Sequence, residues 1–327
     1  MGGNLFKLGR MPRAEYLDRE REIRAYLHEK IGSNFRIPRY YTNKPDFGDM
    51  DVVVSAAAAE PMGWPVLREE FVSDLGITQT KTAGVFSTIY RELQVDFFLR
   101  EEDVFHSTDS YLSFNDVGNL IGKICRRLGL KYGEDGLSWV FRRPDNEHYR
   151  QDILVSRNPE SIFGFLGLNH EEWLRGFDEL DDIFNWLIQS PYFSVHPYRN
   201  PGKRIRDRKT QRPTVARFLR FLEEQKIDKV YVYDEDKSSY IGAISAHFPD
   251  ARLEEEIAKE MSDALRATQL KERFSGSLVM KLVPLRGKAL GAFIKEFLAK
   301  YSEDTLLEMD AGAIEQAVVT LYADSAK

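Results

Sequence analysis

Three aspartates are the residues of this sequence whose type and spacing are best suited to chemistry. Asp49 and Asp51 open the apolar stretch FGDMDVVV, and side chains two residues apart on a strand lie on the same face. Asp96 stands inside the apolar stretch LQVDFFL, where an unpaired charge is costly unless a cation or hydrogen bonds compensate it. Carboxylates on neighbouring strands form a hard-oxygen site suited to Mg²⁺ or Mn²⁺. The sequence therefore predicts a metal centre at Asp49, Asp51 and Asp96.

A site of three carboxylates can hold two divalent ions about 3.5–4 Å apart. One ion lowers the pKa of an attacking hydroxyl, and the other bridges the phosphates of a nucleoside triphosphate. Phosphoryl transfer requires little else from a protein beyond positioning and charge. The alternative interpretation is structural, with Asp49 ending a turn and Asp96 lying at a solvated sheet edge. On the chemical interpretation, the three aspartates are catalytic.

Several segments around these aspartates match a known family in order and spacing. FGDMDVVV and QVD resemble the GD-x-D strand and the later third aspartate of the polymerase-beta-like nucleotidyltransferases, and of the family X DNA polymerases in particular. YLSFNDVGN, residues 111–119, is similar to that family's YFTGSDIFN segment, with Leu112 and Phe114 in place of Phe and Gly. RRLGLKYG, DGL and NPESIFGFLGL resemble later family segments, so the resemblance covers residues 35–170.

The resemblance implies an activity and a set of site residues. The three aspartates would bind two Mg²⁺ or Mn²⁺ ions and catalyse nucleotide transfer from a nucleoside triphosphate. Tyr111, Asp116 and Asn119 would lie against the incoming nucleotide. Family X repair polymerases carry a lyase domain and helix-hairpin-helix elements ahead of this region, whereas residues 1–34 alone precede the first predicted strand here. Gap filling on duplex DNA is therefore the less expected activity.

The family's phosphate-binding Gly-Ser pair is missing from its usual place. The pair lies about ten residues before the first aspartate, at a helix start whose main-chain amides hold triphosphate oxygens, and Pro38-Arg39 stands there instead. Gly2 and Gly3 could fold back and donate amides in its place. Arg39 and Lys44 could supply positive charge. The alternative for these residues is a flexible terminus and a solvated turn.

Residues 196–220 form a basic segment in an otherwise acidic chain. The segment holds nine Lys or Arg and one Asp, whereas the whole chain has a net charge of −6 and a pI near 5.7. Clustered positive charge of this kind binds a nucleic-acid backbone. A basic linker without a ligand is the alternative. The residues predicted to contact nucleic acid are Lys203, Arg204, Arg206, Arg208 and Lys209.

Composition indicates a globular protein. The chain has 327 residues, of which 43% are hydrophobic and 30% charged, and this length allows two domains with buried cores. Cys125 is the single cysteine, so an intrachain disulfide is excluded. The chain contains no apolar run of the length that a membrane span requires, and its first residues lack a signal-peptide pattern. We therefore expect a reducing, cytoplasmic setting without a membrane partner.

Hydrophobic periodicity predicts an α/β (α+β) protein with two domains. Residues 1–180 are expected to form a nucleotidyltransferase palm, in which helices flank a mixed or antiparallel sheet. Residues 181–327 are expected to form a mostly helical substrate-binding domain that carries the basic segment. The predicted strands are Phe35–Tyr41, Asp51–Val54 and Leu93–Leu99. The predicted helices are Ala14–Lys30, Ser113–Leu128, Ile162–Leu168, Asp181–Ile188, Val215–Gln225, Leu253–Arg273 and Gly291–Lys300.

These observations predict a metal-dependent nucleotidyltransferase that transfers a nucleoside monophosphate to the 3′-hydroxyl of a nucleic acid and releases pyrophosphate. An RNA end, for example a tRNA-like one, is favoured over gapped DNA. Two alternatives stay open. An enzyme that modifies a protein or small molecule, by toxin-like AMP transfer or second-messenger synthesis, shares the palm but needs no basic groove. A catalytically silent nucleic-acid-binding module would bind without releasing pyrophosphate.

Overall fold

The computed structural model describes residues 5–60, 62–82, 84–143, 146–199 and 212–325, with the main chain alone described at 146–148. The chain divides into two compact units. The first comprises Met1–Val140 and Asp152–Leu253, and the second comprises Phe141–Gln151 and Glu254–Lys327. Residues 181–253, which the sequence assigns to the C-terminal domain, thus group with the first unit. The two compact units divide the chain at other residues than the predicted domain boundary at residue 180, which stays a prediction.

The strands are short and lie mainly in the first half of the chain. They are β1 (Met11–Pro12), β2 (Phe35–Arg36), β3 (Asp46–Phe47), β4 (Met50–Ser55), β5 (Gln79–Thr82), β6 (Phe86–Tyr90), β7 (Leu93–Arg100), β8 (Leu130–Gly133), β9 (Gly136–Arg143) and β10 (Asn146–Ser156).

The α-helices follow and alternate with these strands, then dominate the C-terminal half. They are α1 (Arg13–Ile31), α2 (Trp64–Asp74), α3 (Glu102–Leu112), α4 (Val117–Arg127), α5 (Pro159–Phe165), α6 (His170–Arg175), α7 (Leu180–Ile188), α8 (His196–Arg199), α9 (Pro213–Glu224), α10 (Ile241–His247), α11 (Leu253–Arg273), α12 (Gly276–Leu282), α13 (Gly287–Lys300), α14 (Glu303–Glu308) and α15 (Ala311–Ser325). Among the described residues, no helix combines the length and apolar character that crossing a bilayer requires.

A five-stranded mixed sheet in the order β2-β4-β7-β6-β5 forms the centre of the first unit. Strands β4 and β7 are parallel, and the other neighbours pair antiparallel. Parallel neighbours need a long crossover, which α2 and the β5–β6 hairpin provide. Strand β4 is central, and Val52, Val53 and Val54 are fully buried. The predicted class, an α/β protein with helices around a mixed sheet and a helical C-terminal region, is confirmed.

Helices α1 and α2 pack on one face of this sheet because their apolar stripes meet it. Ile23 and Leu27 of α1 and Phe71 of α2 join Val52 and Val54 in a single buried cluster. Successive side chains of a strand alternate between its two faces, so Asp51, directly before Val52, belongs to the opposite face. The sheet thus separates the core formed with α1 and α2 from the carboxylates.

The predicted strand after α1 ends earlier than expected. Strand β2 stops at Arg36, whereas the prediction extended it to Tyr41. Pro38 cannot donate a ladder hydrogen bond, and the main-chain N–H of Arg39 donates to Ser113 Oγ at 3.0 Å. This part of the chain is therefore tied to the α3–α4 region instead of to the sheet.

The predicted helix Ser113–Leu128 starts later than expected, and a second helix precedes it. Helix α3 ends at Leu112, and α4 begins at Val117. Between them, Phe114 and Asn115 adopt left-handed φ values of +59° and +64°, which cannot continue a right-handed helix. The hairpin β5–β6 and the three-stranded sheet β10-β9-β8 were also not predicted, and β5, exposed at all of its positions, has no alternating apolar pattern that could have identified it.

The second unit has its own hydrophobic core. Phe274 and Phe297 stack with ring centroids 4.5 Å apart and lie among Val279, Ile314 and Val318. These residues come from α11–α15 and the links between them, so several short helices share one buried cluster. The predicted helices Leu253–Arg273 and Gly291–Lys300 are present here, and the latter begins earlier, at Gly287.

Candidate active site

The structure brings Asp49, Asp51 and Asp96 together. Asp51 of β4 is the direct register partner of Asp96 of β7, and Asp49 lies one residue before β4. One carboxylate oxygen from each residue lies within 4.8 Å of the other two. The three carboxylates therefore form one cluster on the sheet, although about forty-five residues separate the second and third along the chain.

Burial and mutual repulsion shape the electrostatics of this cluster. Burial and the charge of Asp96 raise the pKa of Asp49 to about 6. Burial, then Asp49 and Asp96, raises the pKa of Asp51 well above its ordinary value. Three crowded, partly buried carboxylates favour any change that neutralises them. Hard oxygen ligands at this spacing fit one or two divalent cations such as Mg²⁺ or Mn²⁺.

Gln94 holds the third carboxylate, and the sequence reasoning missed it. Its Nε2 donates to both oxygens of Asp96, at 3.1 and 2.9 Å, and its own Oε1 accepts from the main-chain N–H of Leu5 at 3.2 Å. Gln94 is buried, and its hydrogen bonds, like one from Ser87, oppose the rise in the pKa of Asp96 that burial causes. Its position two residues before Asp96, on the same strand face, is the signal that could have identified it.

Lys44 places a cation beside the cluster. Its Nζ donates to Asn115 Oδ1 at 2.7 Å and lies 4.3 Å from the centre of the Phe47 ring. Burial lowers the pKa of Lys44 to about 8, while the negative charges of Asp49 and Asp51 oppose this shift. The ammonium thus interacts with the charges of Asp49 and Asp51 while it is hydrogen-bonded to the α3–α4 link.

Arg39, the other predicted phosphate ligand, makes different contacts. Its guanidinium donates to the main-chain carbonyls of Trp173 and Leu174, and it lies over the Phe114 ring at 5.2 Å from the centroid. These bonds fix the α3–α4 link and α6 to the chain after β2. A phosphate role for Arg39 stays a prediction, and one that would compete with these bonds.

The predicted nucleotide contacts Tyr111, Asp116 and Asn119 gather where α3 ends and α4 begins. Gly118 allows the close packing of the two helices, since a Cβ there would lie 2.6 Å from the Tyr111 carbonyl oxygen. Asn119 Nδ2 donates to Asp116 Oδ1 at 3.3 Å. Asp116 also forms an ion pair of 2.6 Å with Arg212, a residue that the sequence reasoning did not single out.

Phe114 anchors the link between these helices. It is fully buried, with its ring edge-to-face against Trp173 at 4.7 Å and Phe177 at 5.2 Å between centroids. Its left-handed φ of +59° is unfavourable for a residue with a side chain. Here aromatic packing offsets the backbone cost.

Two groups of predicted site residues lie outside the described part of the chain. They are the glycines proposed to bind phosphate and the basic residues proposed to bind nucleic acid, namely Gly2, Gly3, Lys203, Arg204, Arg206, Arg208 and Lys209. Their roles stay predictions.

Comparisons with known proteins give matches among solved structures. No protein-family model and no curated protein matches the sequence. Among solved structures, the chain is similar to polymerase beta of Leishmania infantum, in a ternary P/T complex and in a ternary gap complex. The sequence identities are 19% and 18%, the TM-score is 0.36 in both cases, and the matches cover 49% of this chain and 74% and 68% of those chains. At this level of similarity, the chemistry of the site depends on its own residues.

Proposed function

We propose that this protein is a metal-dependent nucleotidyltransferase that transfers a nucleoside monophosphate from a nucleoside triphosphate to the 3′-hydroxyl of a nucleic acid. The observation that carries the proposal is the convergence of Asp49, Asp51 and Asp96, with their oxygens within 4.8 Å of one another. The order and spacing of the motifs around them support the same chemistry. The favoured acceptor is an RNA end, including a tRNA-like one.

The three carboxylates supply the reaction with its metal ligands. They would hold two Mg²⁺ or Mn²⁺ ions, which neutralise the triphosphate and lower the pKa of the attacking hydroxyl. The 3′-oxygen would form a bond to the α-phosphorus while the bond from that phosphorus to the oxygen bridging the α- and β-phosphates breaks. Pyrophosphate would leave with the electrons of that bond, and the hydroxyl proton would pass to solvent water. Gln94 would keep the Asp96 carboxylate in one orientation for this step through its two hydrogen bonds.

Positive charge and main-chain amides would hold the triphosphate. Lys44 is the described cation whose charge interacts with Asp49 and Asp51. Gly2 and Gly3 are the proposed source of amides, and the nearest described residue, Leu5, is bound to Gln94 next to the metal ligands. Tyr111, Asp116 and Asn119 would contact the rest of the nucleotide.

Labelled nucleotides provide the direct test. The protein is incubated with each NTP and dNTP, Mg²⁺ or Mn²⁺, and matched RNA and DNA oligonucleotides with free or blocked 3′ ends. We expect extension of free RNA 3′ ends with release of pyrophosphate, and none with the Asp51→Asn variant. Label on protein or on a small molecule would support the alternative acceptor class. Binding of nucleic acid without pyrophosphate release, under all these conditions, would indicate a silent binding module.

Charge neutralisation tests the acceptor contacts. Replacing Lys203, Arg204, Arg206, Arg208 and Lys209 with Gln should weaken oligonucleotide binding and flatten its log K against log salt slope by about 0.7–0.9 per lost phosphate contact. The matched control removes the same charge from exposed lysines of the second unit, Lys259, Lys271, Lys288, Lys295 and Lys300. An unchanged salt slope in the first variant would make the basic segment a linker.

A further inference from the structure

Two described residues of the basic segment, Tyr198 and Arg212, are hydrogen-bonded to helix α4 or its N-cap residue. On one side, the Tyr198 hydroxyl of α8 donates to the Leu120 carbonyl at 2.8 Å, and Tyr198 is buried. On the other side, Arg212 Nη1 donates to Asp116 Oδ1 at 2.6 Å. Asp116 and Leu120 are four residues apart, which is about one helical turn. Tyr198 and Arg212 therefore both contact the first turn of α4 or its N-cap residue, close to Asn119 in the sequence.

The Asp116 carboxylate accepts hydrogen bonds from side chains and does not cap helix α4. Asp116 occupies the N-cap position of α4, yet its side chain makes no capping hydrogen bond. The same oxygen, Oδ1, accepts from Arg212 and from Asn119. In the ion pair, the Arg212 side chain is 31% exposed and that of Asp116 is 29% exposed, so both groups can be reached by a ligand while water screens them only in part.

Arg212 is held where it is by its own helix. It is the N-cap residue of α9, in extended backbone geometry, and Pro213 follows it at the first helical position. The buried residues Val215, Phe218 and Phe221 fix α9 within the first unit. The guanidinium therefore reaches Asp116 from a packed helix and not from a free surface loop.

We propose that Arg212 is a positioning residue of the nucleotide site, which holds Asp116 in place and cancels its charge where an anionic nucleotide binds. This inference rests on the proposed function. Without Arg212, an uncompensated carboxylate would lie where an anionic nucleotide binds, and like charges oppose binding. The ion pair also brings one described residue of the basic segment, Arg212, to the residues predicted to bind the nucleotide.

Nucleotide binding measures this role apart from catalysis. The probe is a nucleoside triphosphate with a methylene group between its α- and β-phosphates, titrated calorimetrically with Mg²⁺ into the full chain. We expect Arg212→Gln to weaken binding about fivefold, the scale of a partly exposed ion pair. Arg212→Lys keeps the charge and should stay within about twofold of the wild type. The urea midpoint of each variant reports whether it is folded.

Arg217 offers a matched control on the same helix. It pairs with Asp181 and with Glu224, and its side chain is 28% exposed, close to the 31% of Arg212. Arg217→Gln removes the same charge from α9 without touching the α3–α4 link. Nucleotide affinity should stay at the wild-type value in this variant, and a fivefold loss there would mean that any charge on α9 matters and would overturn the inference.

A double-mutant cycle tests whether Arg212 acts through Asp116. Arg212→Gln in the Asp116→Asn background should change nucleotide affinity by less than about twofold, because the carboxylate to be neutralised is gone. An equal fivefold loss in both backgrounds would assign Arg212 a direct ligand contact and contradict the positioning role.

The outcomes separate the inference from the proposed function. If the wild-type protein binds no nucleotide with Mg²⁺ or Mn²⁺, the proposed function fails and the inference fails with it. If the wild type binds and Arg212→Gln binds equally well, the proposed function stands and the inference alone is overturned. Should Arg212→Gln be unfolded, Arg212→Met, which keeps the aliphatic stem and removes the charge, serves for the same comparison.

Discussion

Asp51 and Asp96 are direct neighbours on two parallel strands, and Asp49 completes their cluster within 4.8 Å. Burial and the neighbouring carboxylates raise the pKa of Asp49 and of Asp51. Ionising all three groups at neutral pH is therefore unfavourable in the metal-free protein. Each carboxylate lowers the free energy of unfolding while it prepares the site for a cation.

Asparagine substitutions should separate function from stability. Asp49→Asn, Asp51→Asn and Asp96→Asn each remove a ligand charge at nearly constant volume, so nucleotide transfer should fall by about 10²–10³-fold or more. The free energy of unfolding without metal should stay constant or rise by about 1–2 kcal/mol, because repulsion is relieved. Activity assays and urea denaturation measure the two effects.

Asp74 provides the control for this prediction. Its pKa is lowered by hydrogen bonds from Tyr26 and Lys30, so its charge is stabilising in the fold. Asp74→Asn should leave transfer unchanged and lower the melting temperature slightly. A collapse of stability in the Asp49 or Asp51 variant would assign those residues a structural role.

The pKa of Asp49 predicts how metal binding depends on pH. Its value rises from 3.8 to about 6 on folding, so the native state binds more protons than the unfolded state between these values. The free energy of unfolding without metal should therefore decrease as the pH rises through this interval. Cations require the deprotonated carboxylate, so the rise in melting temperature that Mg²⁺ causes should grow between about pH 5 and 7. Thermal melts with and without Mg²⁺ at each pH measure this, and a pH-independent shift would contradict it.

Lys44 predicts a loss of nucleotide affinity at alkaline pH. Burial lowers its pKa to about 8, so the free protein loses this positive charge above that pH. Wild-type affinity for a nucleoside triphosphate should decline from pH 7 to 9.5, and Lys44→Gln should bind about tenfold more weakly at pH 7 with no further decline. Lys131, which pairs with Asp152 on β10, supplies the control variant Lys131→Gln. Parallel pH profiles in wild type and Lys44→Gln would exclude the role.

Phe114 predicts an unusual order of stabilities. Phe114→Ala removes a fully buried ring and should lower the free energy of unfolding by about 3–5 kcal/mol. Phe114→Gly loses the same ring but removes the left-handed strain at φ +59°, so it should be more stable than the Ala variant by about 1 kcal/mol. Urea denaturation of both variants measures the difference. The reverse order would mean that the strain is negligible.

The N-terminal glycines predict a specific defect in triphosphate binding. Replacing Gly2 and Gly3 with Val should weaken NTP binding about tenfold and leave the melting temperature unchanged, because amides approach phosphates closely only where no Cβ intervenes. Affinity for the nucleoside monophosphate, which lacks the outer phosphates, should change much less. Equal NTP affinity in the variant and the wild type would return the phosphate role to Lys44 and Arg39.

Local pattern was sufficient to single out the three aspartates and to predict the long elements. Side chains two residues apart in a strand share a face, so the spacing of Asp49 and Asp51 predicted their proximity, although Asp49 lies one residue before β4. Amphipathic periodicity likewise predicted α1, β4, β7 and α11 to within a few residues. These features depend on backbone geometry, which is the same in every protein.

Local sequence pattern could not predict the long-range contacts. Three contacts depend on how distant elements pack. Asp96 pairs with Asp51 in a parallel register, and Arg39 binds main-chain carbonyls of α6. Arg212 forms its ion pair with Asp116, ninety-six residues away in the sequence. A charged residue such as Arg212 has the same local signature whether it faces water or a carboxylate. Its role follows only from the partner that folding places beside it.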